Sequence, residues 1–201
     1  MMWIFGGYLT DKAGDKTFFN ELIIFDVSED VNTLEAVQVE PGAVGKSAPE
    51  PRSHAAGTRW DEELIIYGGY DPAENEYDDM WYYSPKTNEW HEVQFDRTFV
   101  GNYNRFPIGK AGAFLHLLPN NTLLLVGGSR RGEEKWFCEL DRTAPSRWTG
   151  VWRLARNEIP SGDHMITYRR SEAGTLAIAN WVFICGGATT DEYASYPDNK
   201  T

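Results

Sequence analysis

The side chains of this sequence best suited to hold a metal or to move a proton near neutral pH are its four histidines. They are His54, His91, His116 and His164, and no two of them stand at a spacing typical of metal ligands. His54 and His164 take equivalent places in two of the repeated segments described below, so a hydrogen-bonding structural role explains them. The histidines therefore predict no metal site.

Carboxylates are plentiful, as in DEE at 61–63 and EYDD at 76–79. Both groups fall in predicted turns or loops, where solvated charge is the ordinary explanation. The sequence has no phosphate-binding loop, no nucleophile elbow and no Cys-x-x-Cys pair. We therefore predict no catalytic residues and no cofactor.

Composition restricts the class of partner. The net charge is −11, from 19 basic and 30 acidic residues, and a protein that binds nucleic acid through phosphates needs a basic stripe instead. No apolar run approaches the roughly 18 to 20 residues that cross a bilayer. We expect neither a nucleic-acid partner nor a membrane partner.

The two cysteines, Cys138 and Cys185, lie in or beside apolar runs of different segments. This placement favours small buried hydrophobic residues over a disulfide, which suits a reducing compartment, and we predict a cytoplasmic protein. Two glycosylation triplets, at 120–122 and 199–201, favour a secreted protein instead.

The elements that would position any site repeat along the chain. An apolar run followed by two glycines occurs four times, and the doublets start at residues 6, 68, 127 and 186. A fixed period of about 60 residues is typical of solenoids and propellers. The doublets are Gly6-Gly7, Gly68-Gly69, Gly127-Gly128 and Gly186-Gly187.

The second repeat shows the strand pattern most clearly. The run LIIY at 64–67 predicts a strand buried on both faces. We assign its glycines a structural role, because a residue without Cβ lets the chain turn while another backbone approaches. Four antiparallel strands are predicted in this repeat, at 53–59, 64–67, 79–84 and 89–95. Further strands are predicted at 21–26, 33–39, 109–117, 122–126, 135–141, 150–155, 163–169 and 181–185, with a fourth-repeat hairpin about eight residues longer than the second.

Residues 51–93 resemble a kelch repeat, through the glycine doublet, the third-strand Tyr83 and the fourth-strand Trp90 seven residues later. The resemblance implies an all-β, kelch-type β-propeller in which each repeat forms a four-stranded blade. It extends over four repeats, at 1–45, 46–104, 105–160 and a truncated 161–201, of which two are complete blades. Kelch propellers usually have five to seven blades, so we expect an incomplete ring or part of a longer chain, with missing blades supplied elsewhere or with self-association.

Some kelch-like propellers are enzymes, so the resemblance also raises the question of catalysis. A copper-radical oxidase of the galactose oxidase type needs a cross-linked Cys and Tyr with further Tyr and His ligands, and the histidines here are spread over the repeats. A thiocyanate-forming type needs carboxylates at fixed steps before a His, which are absent. A sugar mutarotase leaves little motif to find, so a carbohydrate-active enzyme, of the sugar oxidase or mutarotase type, stays the alternative to a non-enzymatic module.

On a propeller, the loops that carry function gather around the channel mouth of one face. Those loops are rich in Arg and Tyr, which anchor protein interfaces. We predict a scaffold or adaptor that binds a protein partner at this face, and the arginines suit an acidic peptide segment. The predicted contact residues are Arg52, Tyr70, Tyr103, Arg105, Lys110, Arg130 and Arg131.

Overall fold

The computed structural model describes residues 2–25, 36–39, 48–95, 106–129, 134–155, 171–178 and 181–188, and of residues 36–39 the backbone alone. All regular elements in these ranges are β-strands, and none of the described residues form a helix able to cross a membrane. The strands are β1 Met2–Phe5, β2 Tyr8–Thr10, β3 Lys16–Phe18, β4 Leu22–Phe25, β5 Ala36–Val39, β6 Ala56–Trp60, β7 Glu63–Tyr67, β8 Met80–Ser84, β9 Glu89–Glu92, β10 Gln94–Phe95, β11 Ala113–Leu117, β12 Thr122–Gly127, β13 Lys135–Asp141, β14 Thr149–Leu154, β15 Gly174–Ile178 and β16 Trp181–Cys185.

In each repeat, the main strands form one antiparallel sheet. The second repeat gives a four-stranded sheet in the order β6-β7-β8-β9, and the third gives β11-β12-β13-β14. The first repeat contributes β1-β4-β5 and the fourth contributes β15-β16. A separate hairpin, β2-β3, follows the first glycine doublet. Each sheet is thus built mainly from consecutive strands, as expected for propeller blades.

The last strand of the second repeat ends earlier than predicted and its chain changes sheets. Glu89–Glu92 pairs with β8, whereas Gln94–Phe95 pairs in parallel with Thr149 and Gly150 of β14. Gly150 permits this crossing, because a Cβ there would collide with the Phe95 ring. The strand predicted at 89–95 is therefore two short strands that join neighbouring sheets.

The fourth repeat differs from its prediction. The strand that pairs with Trp181–Cys185 is Gly174–Ile178, and Ile178 lies opposite Trp181, so the hairpin is short. The predicted long hairpin is wrong, and the strand predicted at 163–169 lies outside the described residues. The bridge from Ser171 to Ala188 matches that from Ser53 to Tyr70. Glu172, rather than His164, is thus the counterpart of His54.

The core lies between the sheets and is rich in aromatic side chains. Between the first and second sheets, Trp90 packs against Phe5, with ring centroids 5.0 Å apart. Between the second and third sheets, Tyr82 stacks on Trp148 at 3.8 Å. In the fourth sheet, no described residue covers one apolar face: Leu176 pairs with Phe183 and Ile178 with Trp181, and all four residues are more than half exposed.

Candidate partner-binding site at the channel mouth

Three short segments lie side by side. Each precedes the first strand of its sheet, which is β6, β11 or β15. Gly112 N donates to His54 O at 2.8 Å, and Glu172 N donates to Gly112 O at 3.2 Å. His54, Gly112 and Glu172 have φ values of 58°, 63° and 58°. These equivalent left-handed positions bring three repeats together on the face that carries the glycine doublets, which is the predicted channel mouth.

Four aromatic rings meet at this mouth, and we call Tyr8, Phe18, His54 and Tyr70 the mouth cluster. The β2-β3 hairpin places Tyr8 opposite Phe18, with ring centroids 5.3 Å apart. His54 stacks on Tyr70 at 5.2 Å and lies 6.3 Å from Tyr8, while Phe18 meets Tyr70 edge-on at 5.6 Å. Each of the four rings therefore contacts two of the others, and the first two repeats together supply all four.

Polar contacts hold the rings of the mouth cluster in place. Ser53 and Tyr70 exchange backbone hydrogen bonds of 3.1 and 2.9 Å. Ser53 Oγ lies 2.7 Å from His54 Nδ1, and His54 Nε2 lies 3.1 Å from Glu172 Oε1. Burial, followed by the neighbouring Tyr8, raises the pKa of the Tyr70 phenol, so this phenol stays neutral at physiological pH.

The geometry of the mouth cluster suits contact with a partner more than catalysis. Both ring nitrogens of His54 are engaged, and Ser53 is buried. A nucleophile or general base needs a free atom that faces its substrate. By contrast, the Tyr8 side chain is 39% exposed and that of Glu172 is 59% exposed. The described residues hold no group of three or more His, Cys, Asp and Glu side chains placed to bind a metal ion.

Two of the predicted contact residues are not on the surface. Arg52 is 1% exposed and Lys110 is 0% exposed. The expectation that they meet a partner at the mouth is corrected, because neither side chain reaches solvent. Tyr70 belongs to the mouth cluster, and Tyr103, Arg105, Arg130 and Arg131 lie outside the described residues.

Arg52 is buried because other groups of the chain bind each nitrogen of its guanidinium and an aromatic ring covers its face. Its two terminal nitrogens bind the Asp79 carboxylate at 2.5 and 2.9 Å, and Nη1 also donates to Gly68 O at 3.1 Å. Nε donates to Glu50 O at 3.1 Å, and the Tyr77 ring lies 4.0 Å from Cζ. Burial raises the pKa of that Tyr77 phenol. The arginine therefore fastens the entry of the second sheet to its own glycine doublet.

The glycine doublets lie in the same region as these basic residues. All eight glycines have positive φ. Gly7 N donates to Arg52 O at 2.9 Å, and Gly69 N donates to Lys110 O at 2.8 Å. The doublet of one repeat thus docks on the basic residue that opens the next repeat. Arg52 and Lys110 share this position.

The exposed charge of the described mouth is mainly negative. Two five-residue turns at its rim, 11–15 and 71–75, are built alike around an aspartate that accepts two backbone N–H groups. In the second turn, hydrogen bonds from Asn75 lower the pKa of Asp71. Exposed charged residues lie in these turns, in the β2-β3 hairpin and in the segment that precedes β15. They are Asp11, Lys12, Asp15, Lys16, Glu74 and Glu172.

Sequence reasoning named Tyr70 as a contact residue, which stays a prediction, but did not name its three ring partners or Glu172. The available signal was the likeness of RSEAG at 170–174 to RSHAA at 52–56, which aligns Glu172 with His54. No local pattern could show that the side chains of these two equivalent residues meet, 3.1 Å apart, across an intervening repeat.

Comparison with known proteins supports the same architecture. Residues 1–187 match the KLHDC2/KLHL20/DRC7 Kelch-repeats domain. A solved structure titled "Structure of YjhT" superposes with a TM-score of 0.54 at 14% sequence identity, over 82% of this chain and 50% of that chain. The chain thus spans half the length of this structural neighbour, and a likeness at this identity shows the fold alone. No curated protein matched the sequence.

The predicted all-β, kelch-type architecture is confirmed, and among the described residues the sheets do not close into a ring. The chain belongs to the family of the KLHDC2/KLHL20/DRC7 Kelch-repeats domain.

Proposed function

We propose that this chain is a non-catalytic protein-interaction module that binds its partner through the loops at the channel mouth. Kelch-repeat domains are in general protein-interaction modules. The observation that carries the proposal is the mouth cluster, which holds the exposed Tyr8 ring and in which His54 contacts the exposed Glu172 carboxylate. Aromatic side chains on a rigid support are typical anchors of protein interfaces.

Replacing Tyr8 by alanine is expected to weaken partner binding strongly while leaving the melting temperature nearly unchanged. Interface anchors cost about 2 kcal/mol or more when truncated, which corresponds to roughly 30-fold in affinity. Tyr8 lies at the surface on a short hairpin, so few core contacts are lost. Affinity capture with quantitative mass spectrometry compares the partners held by the two proteins.

Lys86→Ala is the matched control for this experiment. Lys86 is exposed in the turn between β8 and β9, away from the mouth, and makes a surface ion pair with Glu62 at 3.3 Å. The proposal fails if the Tyr8 variant captures every partner as well as the Lys86 variant does.

We further propose that the 201-residue chain associates through the uncovered face of β15 and β16. Exposed apolar faces of this kind mark association sites, and the corresponding face of the second sheet is covered by the third sheet. Multi-angle light scattering is expected to show dimers or larger species. Trp181→Glu should shift them toward monomer, and Leu9→Glu, an equally apolar exposed site elsewhere, should not. A monomer of the unmodified chain that persists at high concentration contradicts this proposal.

A cytoplasmic location also stays a proposal. It rests on two cysteines that are both free thiols. Cys138 is buried, as expected, whereas Cys185 is exposed, so the expectation that both are buried is wrong for Cys185. Burial strongly raises the pKa of the Cys138 thiol, which keeps it in the unreactive protonated form.

A further inference from the structure

The exposed face of the Tyr8 ring already attracts a cation. Lys16 Nζ, from the same hairpin, lies 5.0 Å from the centroid of that ring. An ammonium group within about 6 Å of an aromatic face is attracted by the negative face of the π-system. Both side chains are exposed, so solvent competes with the contact and another cation can replace the lysine.

A carboxylate stands at the other side of the cluster. Glu172 approaches His54 through Oε1 at 3.1 Å, and His54 lies against both Tyr8 and Tyr70. The Glu172 side chain is 59% exposed. The electron-rich Tyr8 ring and the accessible Glu172 carboxylate thus both contact His54.

The chain builds the same combination twice around arginines of its own. Arg142 Cζ lies 4.6 and 4.5 Å from the rings of Trp60 and Trp148, and its terminal nitrogens bind Asp61 at 2.9 Å and Glu63 at 3.1 Å. Arg52 lies over Tyr77 and binds Asp79. In both places a guanidinium stacks on an aromatic face while carboxylates accept its N–H groups, which is the geometry that planar arginine prefers.

The charge of the described residues around the mouth points to the same class of ligand. Among them, the exposed carboxylates of Asp11, Asp15, Glu74 and Glu172 outnumber the ammonium groups of Lys12 and Lys16. The net charge of the chain, −11, adds a long-range attraction for cations. This is the reverse of the charge that an acidic peptide requires.

We propose that the mouth cluster receives an arginine or lysine side chain of a basic peptide segment, which lies over the Tyr8 ring and binds the Glu172 carboxylate. The inference rests on the proposed function, since it names the chemistry of the partner at the same site. Lys16 then leaves the ring face when the partner binds.

A random library of 12-residue peptides displayed on phage provides the probe. The library is selected on the unmodified chain, and the selected peptides are sorted by whether Tyr8→Ala or Tyr70→Ala removes their binding. We expect the peptides that depend on these residues to be enriched in arginine and lysine. For such a peptide, Glu172→Gln is expected to weaken binding about tenfold, since hydrogen bonds to charged groups contribute about 1.5 kcal/mol or more.

Glu62→Gln removes the same charge from the turn between β6 and β7, where Glu62 pairs with Lys86. It should change the affinity of these peptides less than twofold, because exposed charges beyond about 10 Å are screened by salt. An equal loss in the two variants overturns the inference, since it means that only overall charge matters.

Two other results would decide the matter differently. If the peptides that depend on Tyr8 or Tyr70 are acidic, and Arg130→Ala with Arg131→Ala removes them, the inference is overturned while the proposed function holds. If no selected peptide depends on any of these residues, both the inference and the proposed function are overturned.

Discussion

Replacing Gly68 by valine is expected to lower the free energy of unfolding by about 3 kcal/mol or more. Gly68 has a φ of 69°, a left-handed conformation that β-branched residues rarely adopt. A Cβ at this position would overlap the carbonyl oxygen of Lys110 and would lie 3.3 Å from that of Tyr77. Both neighbours are backbone atoms held by hydrogen bonds, so relaxation would break the contact between two repeats.

Urea unfolding followed by tryptophan fluorescence measures this effect. Gly57→Ala is the matched control, because Gly57 lies in β6 of the same sheet, and a Cβ there would meet no atom closer than 3.7 Å. We expect the control to change stability by about 0.5 kcal/mol or less. A Gly68 variant with the urea midpoint of the parent would contradict this account of the doublet.

The doublets show which part of the fold local sequence can predict. An apolar run that ends in two glycines requires a buried strand followed by a close backbone approach, and both requirements lie within a few residues. The strand predicted at 135–141 is found as Lys135–Asp141. The blade architecture was therefore predictable, because the same local pattern of an apolar run and a glycine doublet occurs in each repeat.

The end of the second repeat was less predictable, since its pairing partner lies in another repeat. The alternation at 89–95 suits one continuous strand, and the local pattern carries no sign of a change of sheet. The change depends on Gly150, whose missing side chain makes room for Phe95. The space that decides the pairing is supplied by a residue far along the chain.

The site was predicted only in part for a related reason. A basic residue in a polar loop ordinarily lies in solvent, and this expectation placed Arg52 and Lys110 at a partner surface. In the structure these loops run between sheets, where the carbonyl groups of Arg52 and Lys110 accept from the glycine doublets. The requirement for that contact buries the two side chains, and an acidic rather than basic rim is left exposed among the described residues.

Replacing Arg52 by methionine is expected to cost about 3 to 5 kcal/mol of stability, because breaking a buried ion pair leaves the partner charge uncompensated. The Asp79 carboxylate, whose side chain is only 17% exposed, would keep the Trp81 indole N–H at 2.7 Å and lose both guanidinium hydrogen bonds. Gly68 O would lose a donor as well. Arg52→Lys should recover only part of the loss, since an ammonium group cannot bind the carboxylate in the bidentate manner.

Arg153→Met tests whether the cost comes from burial rather than from the loss of an ion pair. Arg153 is 66% exposed and contacts Glu139 at 3.4 Å, so its replacement should change stability by about 1 kcal/mol or less. Pairing Arg52→Met with Asp79→Asn completes the argument. If the two groups stabilise each other, the double variant loses less than the sum of the single losses, by about 1 kcal/mol or more. Strictly additive losses would mean that Arg52 acts through its backbone-directed hydrogen bonds and the Tyr77 ring, with no stabilising contribution from the carboxylate.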